Sequence, residues 1–354
     1  MNSQERILSA LKYKTADRTP VFEYCLLSDS ITKLVLERPY AQLHWEECVK
    51  EKGWQNSVRQ LAVDVMDITE FFGFDMIYQV PNPAPPKIFT ETGKNDENII
   101  DDPVEKVRKR NELKRKPPAA VNEDSLLIYR FLREEMKRRG ISVPILAPAY
   151  AHGVWTDIDL MQTMLLEPEV AHEHFAIATR NAEAKILKYF ECGVEQIGIG
   201  GDFAGNAPLI SPETYRAFIV PELRKLSDKI HSLGLHAVNA SDGNLWGVIE
   251  DFLINTGVDG YLEVDEHAGM ELKKLKAAYG EKITFYGNMD CGNILSFAPP
   301  EKIRSKTIQC IEDGLGNGGH IFTASNAITD SVPVENYFAM VNAYRNYFNL
   351  PKLK

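Results

Sequence analysis

Positive charge is in short supply: across 354 residues, 40 Lys and Arg stand against 50 Asp and Glu, a formal net charge of −10. A general nucleic-acid binder needs a basic surface to neutralise phosphates, so this balance argues against that class. The one basic run, Lys106 to Lys116, follows the acidic segment Asp96 to Asp102 and reads as solvated surface. Cysteine is sparse. Cys25, Cys48, Cys192, Cys291 and Cys310 are odd in number and never spaced C-x-x-C, which suggests neither a disulfide framework nor a zinc ribbon. No apolar run approaches the ~20 residues of a membrane span, and the N-terminus opens without a basic or apolar leader region. A cytoplasmic protein with no membrane or nucleic-acid partner is therefore expected, with a homodimer admitted. A glycine-rich G-x-G-x-x-G after an early strand is also missing, which weighs against an open dinucleotide-binding sheet.

What is present is an alternation. Short β-branched apolar runs end in polar or glycine residues and are followed by amphipathic stretches of roughly 12 to 25 residues. The runs expected as strands are Val21–Tyr24, Phe74–Tyr78, Val143–Pro148, Val194–Asp202, Leu235–Ala240, Val258–Glu263, Ile283–Gly287 and Gly319–Ala324. Helices are expected between them at Pro212–Leu233, Asn244–Thr256, Gly269–Tyr279, Pro300–Asp313 and Val334–Phe348. The first of these opens at Ser211-Pro212-Glu213, where serine caps and proline takes the first helical position. Parallel strands need crossover helices, and closing the sheet removes its edges. The pattern thus predicts an α/β fold, a (β/α)8 TIM barrel, as a single domain over 1–354 with an N-terminal helical extension. The proline-bounded segment 81–118 lacks periodicity and is expected as a surface excursion near the barrel mouth.

In such a barrel the carboxyl ends of the strands form the site. Read in order they offer Glu23 and Tyr24, Tyr78, Tyr150 and His152, Asp202, Asn239 and Asp242, Glu263 and Asp265, Asp290 and Cys291, and Ser325 and Asn326. Each has a plain structural reading: Asp242 before Gly243 suits a turn, and a free cysteine is usually a small buried hydrophobe. Convergence on one mouth favours chemistry. Asp202, Asp242 and Glu23 are the candidate catalytic carboxylates. Tyr24, Tyr78, Tyr150, His152 and Asn239 are candidate substrate contacts, with Trp155 a further aromatic wall. Carboxylate, imidazole and thiolate around one cavity suit a zinc ion that keeps an open position, although no H-x-x-H or C-x-x-C pair supplies a local ligand set.

At Ile199–Asn206, Ser211–Tyr215, Ser241–Asn244, Gly287–Cys291 and Pro333–Tyr337 the chain resembles the uroporphyrinogen decarboxylase superfamily. Arg6–Leu11 and Asp17–Val21 resemble that superfamily's opening, so the likeness covers most of the chain. It implies the (β/α)8 barrel and either decarboxylation of uroporphyrinogen or corrinoid-dependent methyl transfer. The decarboxylase's arginine-rich opening, which grips porphyrinogen carboxylates, is replaced here by Phe22-Glu23-Tyr24-Cys25-Leu26-Leu27, with no arginine from there until Arg38. Burying substrate carboxylates without such partners is costly. The resemblance therefore implies a methyltransferase that takes a methyl group from an O-methyl donor, a methoxylated aromatic, and delivers it to the cobalt of a corrinoid-binding partner protein. Zinc at the mouth is implied too. One subgroup carries His-x-Cys after the fifth strand and a cysteine after the eighth; here those positions hold Ala240, Asp242 and Ser325. The metal residues carried over are Glu263 and Cys291, with Asp242 or a histidine as third ligand. Methyl transfer from a methylated corrinoid to an acceptor, a decarboxylase-like activity and a non-catalytic tetrapyrrole-binding barrel are the alternatives.

Overall fold

Seven parallel strands pair strictly in chain order, each lying within one of the runs read from the sequence. They are β1 (Ile77–Tyr78), β2 (Ile145–Pro148), β3 (Gln196–Gly200), β4 (His236–Ala240), β5 (Gly260–Leu262), β6 (Thr284–Tyr286) and β7 (His320–Ile321). The computed structural model describes residues 1–85, 101–115 and 122–353. Registers such as Ile197↔Ala237 and Phe285↔His320 carry the ladder round. The eighth position is filled by the run at Val21, which forms a single parallel bridge with Phe322. Phe22 N donates to Phe322 O at 3.1 Å, and Asp75 N, just ahead of β1, donates to Val21 O at 2.7 Å. That segment thus touches both edges of the curled sheet. Pro20 lacks the N–H that would extend the ladder, so it stays short.

The lumen is packed rather than open. Tyr286 from β6 reaches across to donate to Gln196 Oε1 on β3 at 2.5 Å, and both residues are fully buried. Room for that ring exists because residue 260 is glycine: a Cβ there would lie 2.6 Å from the Tyr286 ring. At the opposite end from the mouth, the N-terminal helix Ser3–Leu11 is tied to the barrel through the fully buried Asp75. It takes Arg6 Nη1 at 2.5 Å and Arg18 Nη1 at 2.6 Å.

Three expectations change. The helix read over Pro212–Leu233 is two, Pro212–Phe218 and Val220–Ser232, because Pro221 cannot donate into the preceding turn. Asn244–Thr256 contains a tight 3₁₀ turn at Trp246–Val248 and a wide π turn at Asp251–Asn255. Within the segment read as an aperiodic excursion, Pro103–Arg115 is helical and lies against the helices Ile158–Leu166 and Pro168–Glu191. Asn111 donates to Val170 O at 3.0 Å and Arg110 pairs with Asp157 at 2.7 Å, polar anchors that hydrophobic periodicity does not register. Pro117 and Pro118 lie outside the described residues. No helix among the described residues is long and apolar enough to cross a membrane.

Candidate active site

The loops after the strands are held by backbone approaches that only glycine permits. At Gly201 (φ 128°) an added Cβ would lie 2.8 Å from Gly153 N, so the loops after β2 and β3 lock together and set Asp202. At Gly243 (φ 89°) it would lie 2.4 Å from Gly205 O, which fixes the turn carrying Asp242. β5 delivers Glu263, itself at φ 74°, a conformation unusual for a residue with a side chain. These loops enclose a cavity of ≈ 390 Å³ at the mouth. Its wall carries Asp202, Asp242, Asp265 and Asp290, together with Trp155 and Cys291. Among the described residues, neither lysine nor arginine contributes to it.

Asp242 is the centre of the polar contacts. Asn326 Nδ2 donates to its Oδ2 at 2.6 Å, and its own N–H donates to Asp202 Oδ1 at 3.2 Å. Burial, then the charges of Asp202 and Asp265, push the Asp242 carboxyl up to about 7, with Asn326 pulling the other way. Glu263 is 7% exposed and is held well above the usual carboxylate range by burial and by facing Asp242 and Asp202. Beneath it the Tyr24 and Tyr78 rings meet edge to face at 4.5 Å, and the Tyr150 ring lies over Gly198. Burial pushes all three phenols up, so they stay neutral. The mouth therefore sets carboxyls whose protonated form is favoured beside phenolic hydroxyls, an arrangement that can deliver a proton.

Other expected site residues lie elsewhere. Glu23 points away from the lumen, accepting from Tyr337 Oη at 3.0 Å and Thr323 Oγ1 at 3.1 Å. Burial pushes it up to about 7. His152 is fully buried, with Nε2 2.9 Å from Thr179 Oγ1 and its ring stacked on Phe175. Burial pushes it down to about 4, so it packs as a neutral ring rather than facing a substrate. Asn239 is also fully buried and donates to Phe252 O at 3.1 Å, bracing the turn outside the barrel. Asp265, Asp290 and Asn326 stand among the strand-end groups in the sequence without an assigned role, and His267 joins them on the cavity wall.

The zinc set does not come together. Among the described residues no group of three His, Cys, Asp or Glu side chains is gathered to hold a metal. Asn326 already occupies one oxygen of Asp242. Cys291 Sγ lies 3.6 Å from Ser325 Oγ, its polar neighbour across the loops. Glu263, Cys291 and Asp242 thus do not fit zinc as a triad.

Comparison with known proteins supplies the family. A family model described as uroporphyrinogen decarboxylase (URO-D) matches residues 140–347. The chain is 21% identical to "Uroporphyrinogen decarboxylase" of Coxiella burnetii over 373 residues, 97% of this chain and 95% of that protein. It is 25% identical over 189 residues to "Methylcobamide:CoM methyltransferase MtaA" of Methanosarcina barkeri, 53% of this chain and 52% of that one. A solved structure, "methyltransferase from Methanosarcina mazei", superposes with a TM-score of 0.67 at 20% identity, covering 98% and 99% of the two chains, and shares the fold. With enzymes of both kinds among its relatives, a matching barrel and more than half its length matched to the family model, the chain belongs to the uroporphyrinogen decarboxylase (URO-D) family.

Proposed function

We propose that this protein is a methyltransferase, moving a methyl group from an O-methyl donor, a methoxylated aromatic, to a corrinoid carried by a partner protein. One observation carries the choice within the family: the mouth is lined by carboxyls and has no arginine or lysine among the described residues of its wall. A porphyrinogen with several carboxylates would meet a wall of carboxyls without a counter-ion, whereas an uncharged aryl ether brings no charge that needs one. The open mouth, with exposed Trp155, Leu209 and Phe297 beyond the strand ends, suits a partner laid over it.

A methyl ether resists displacement because its oxygen is a poor leaving group. The corrinoid supplies the nucleophile, whose electron pair forms the new bond to the methyl carbon. The protein's part is acid catalysis. As the carbon–oxygen bond breaks, its electrons stay on oxygen, and the Asp242 carboxyl delivers a proton there. The resulting carboxylate is met by the Asn326 amide. Burial and the neighbouring aspartates favour the neutral form of Glu263 below. The tyrosine rings and Trp155 hold the aromatic ring. The reverse transfer to a thiol fits less well, since the residues that would activate the thiol on a metal do not converge.

The test is methyl transfer to cob(I)alamin from a panel of methoxylated aromatics. Wild type is expected to transfer, with the rate falling as pH rises through about 7 and Asp242 loses its proton. Asp242→Asn should lower kcat by roughly 100-fold with little change in KM. No transfer across the panel, with carbon dioxide released from uroporphyrinogen, would overturn the reading.

A further inference from the structure

We propose, resting on the methyl-transfer reading, that the barrel mouth selects its donor by charge, taking aryl methyl ethers that are uncharged or carry an ammonium group and turning away carboxylated ones. Asp202, Asp242, Asp265 and Asp290 share one cavity wall, and none forms an ion pair with a described residue. The ammonium of Lys306 is committed to Glu266. Below the wall, Glu263 is 7% exposed, faces Asp242 and Asp202, and forms no ion pair with a described residue. Four aspartates around one cavity without a fixed cation are balanced best by a ligand that brings no negative charge, and better by one that brings a positive charge. Trp155, 50% exposed, adds an aromatic wall. Its ring lies against Gly205, where a Cβ would come within 3.3 Å. An indole face beside carboxylates suits both an aryl ring and an ammonium group.

Asp265 and Asp290 are the specificity residues in this scheme: neither delivers the proton, and because the charge of Asp265 helps hold the Asp242 carboxyl up, ligand selection is read from binding rather than turnover. Each also holds its loop: Asp265 Oδ1 accepts from Ala268 N at 3.2 Å and Asp290 Oδ1 from Asn293 N at 2.8 Å. Asparagine keeps an acceptor oxygen at both places, so the double variant Asp265→Asn/Asp290→Asn removes charge without removing those bonds.

The experiment is calorimetric titration of the full chain with a methoxyphenol, its ring-carboxylated analogue and its aminoethyl analogue, beside the transfer assay. The carboxylated ligand should bind roughly tenfold more weakly than the uncharged one, and the aminoethyl ligand more tightly, an advantage that fades with added salt. In the double variant these gaps should shrink several-fold. Equal binding of carboxylated and uncharged ligands, or the same gaps in the variant, would overturn the proposal. If binding ranks by charge but no ligand yields its methyl group, charge selection stands and the methyl-transfer reading falls. Methyl transfer at equal rates from all three ligands, with equal binding, would keep the methyl-transfer reading and remove charge selection.

Discussion

Asn326 tempers the state of Asp242, its neighbour across the mouth. Its amide favours the carboxylate form, opposing burial and the charges of Asp202 and Asp265. Asn326→Ala should therefore shift the alkaline limb of kcat upward by roughly one pH unit, the worth of one hydrogen bond to a charged group. Turnover should also fall severalfold, because the carboxylate left after proton delivery loses its donor, while KM changes little. A pH–rate profile of the variant checks this, and an unmoved limb would leave Asn326 a merely structural residue. The carboxylates themselves were readable from their places beyond the strand runs. Asn326 stood at a strand end without an assigned role, since an asparagine there carries no sign of which carboxyl it will meet across the barrel.

The last helix, Val334–Tyr347, is fastened to the barrel by a buried carboxyl. Tyr337 donates to Glu23 Oε2 at 3.0 Å, and neither residue faces the mouth. Removing the donor with Tyr337→Phe should cost roughly 1–3 kcal/mol in urea unfolding. The sign with pH follows from Glu23. Its folded pKa is raised to about 7 by burial, so the folded state holds a proton that the unfolded chain gives up, and its contribution to stability declines as pH rises from about 4.5 towards 7. Tyr337 lowers that value, so its loss should hurt more at pH 8, where Glu23 is ionised, than at pH 5. Glu23, expected as a catalytic acid, lies instead against the last helix. Phe22 turns inward against Tyr286 and Glu23 outward, a parity the sequence does not reveal because both faces of the sheet are buried.

For the whole molecule, closure depends on Asp75. It joins Arg6 of the N-terminal helix and Arg18, and takes Val21 N at 3.0 Å, the segment that bridges β1 and β7. Asp75→Asn would leave Arg18 without its anion and Arg6 with Asp17 alone, and should destabilise the fold by roughly 3–5 kcal/mol. Because this cluster lies away from the mouth cavity, methyl transfer per folded molecule should stay near wild type, and thermal unfolding beside the activity assay separates the two. By itself the sequence determined the order of the strands, the crossover helices between most of them and the groups that stand at the strand ends, since these follow from local runs and turn residues. Only the tertiary structure decided which of those groups face one another. Asp242 meets Asn326, 84 residues away, while Glu23, His152 and Asn239 turn into the layer outside the barrel. The reason is geometric: in a closed parallel sheet packed on both sides, inward and outward positions are equally apolar in sequence, and the choice between them is made only when the barrel closes.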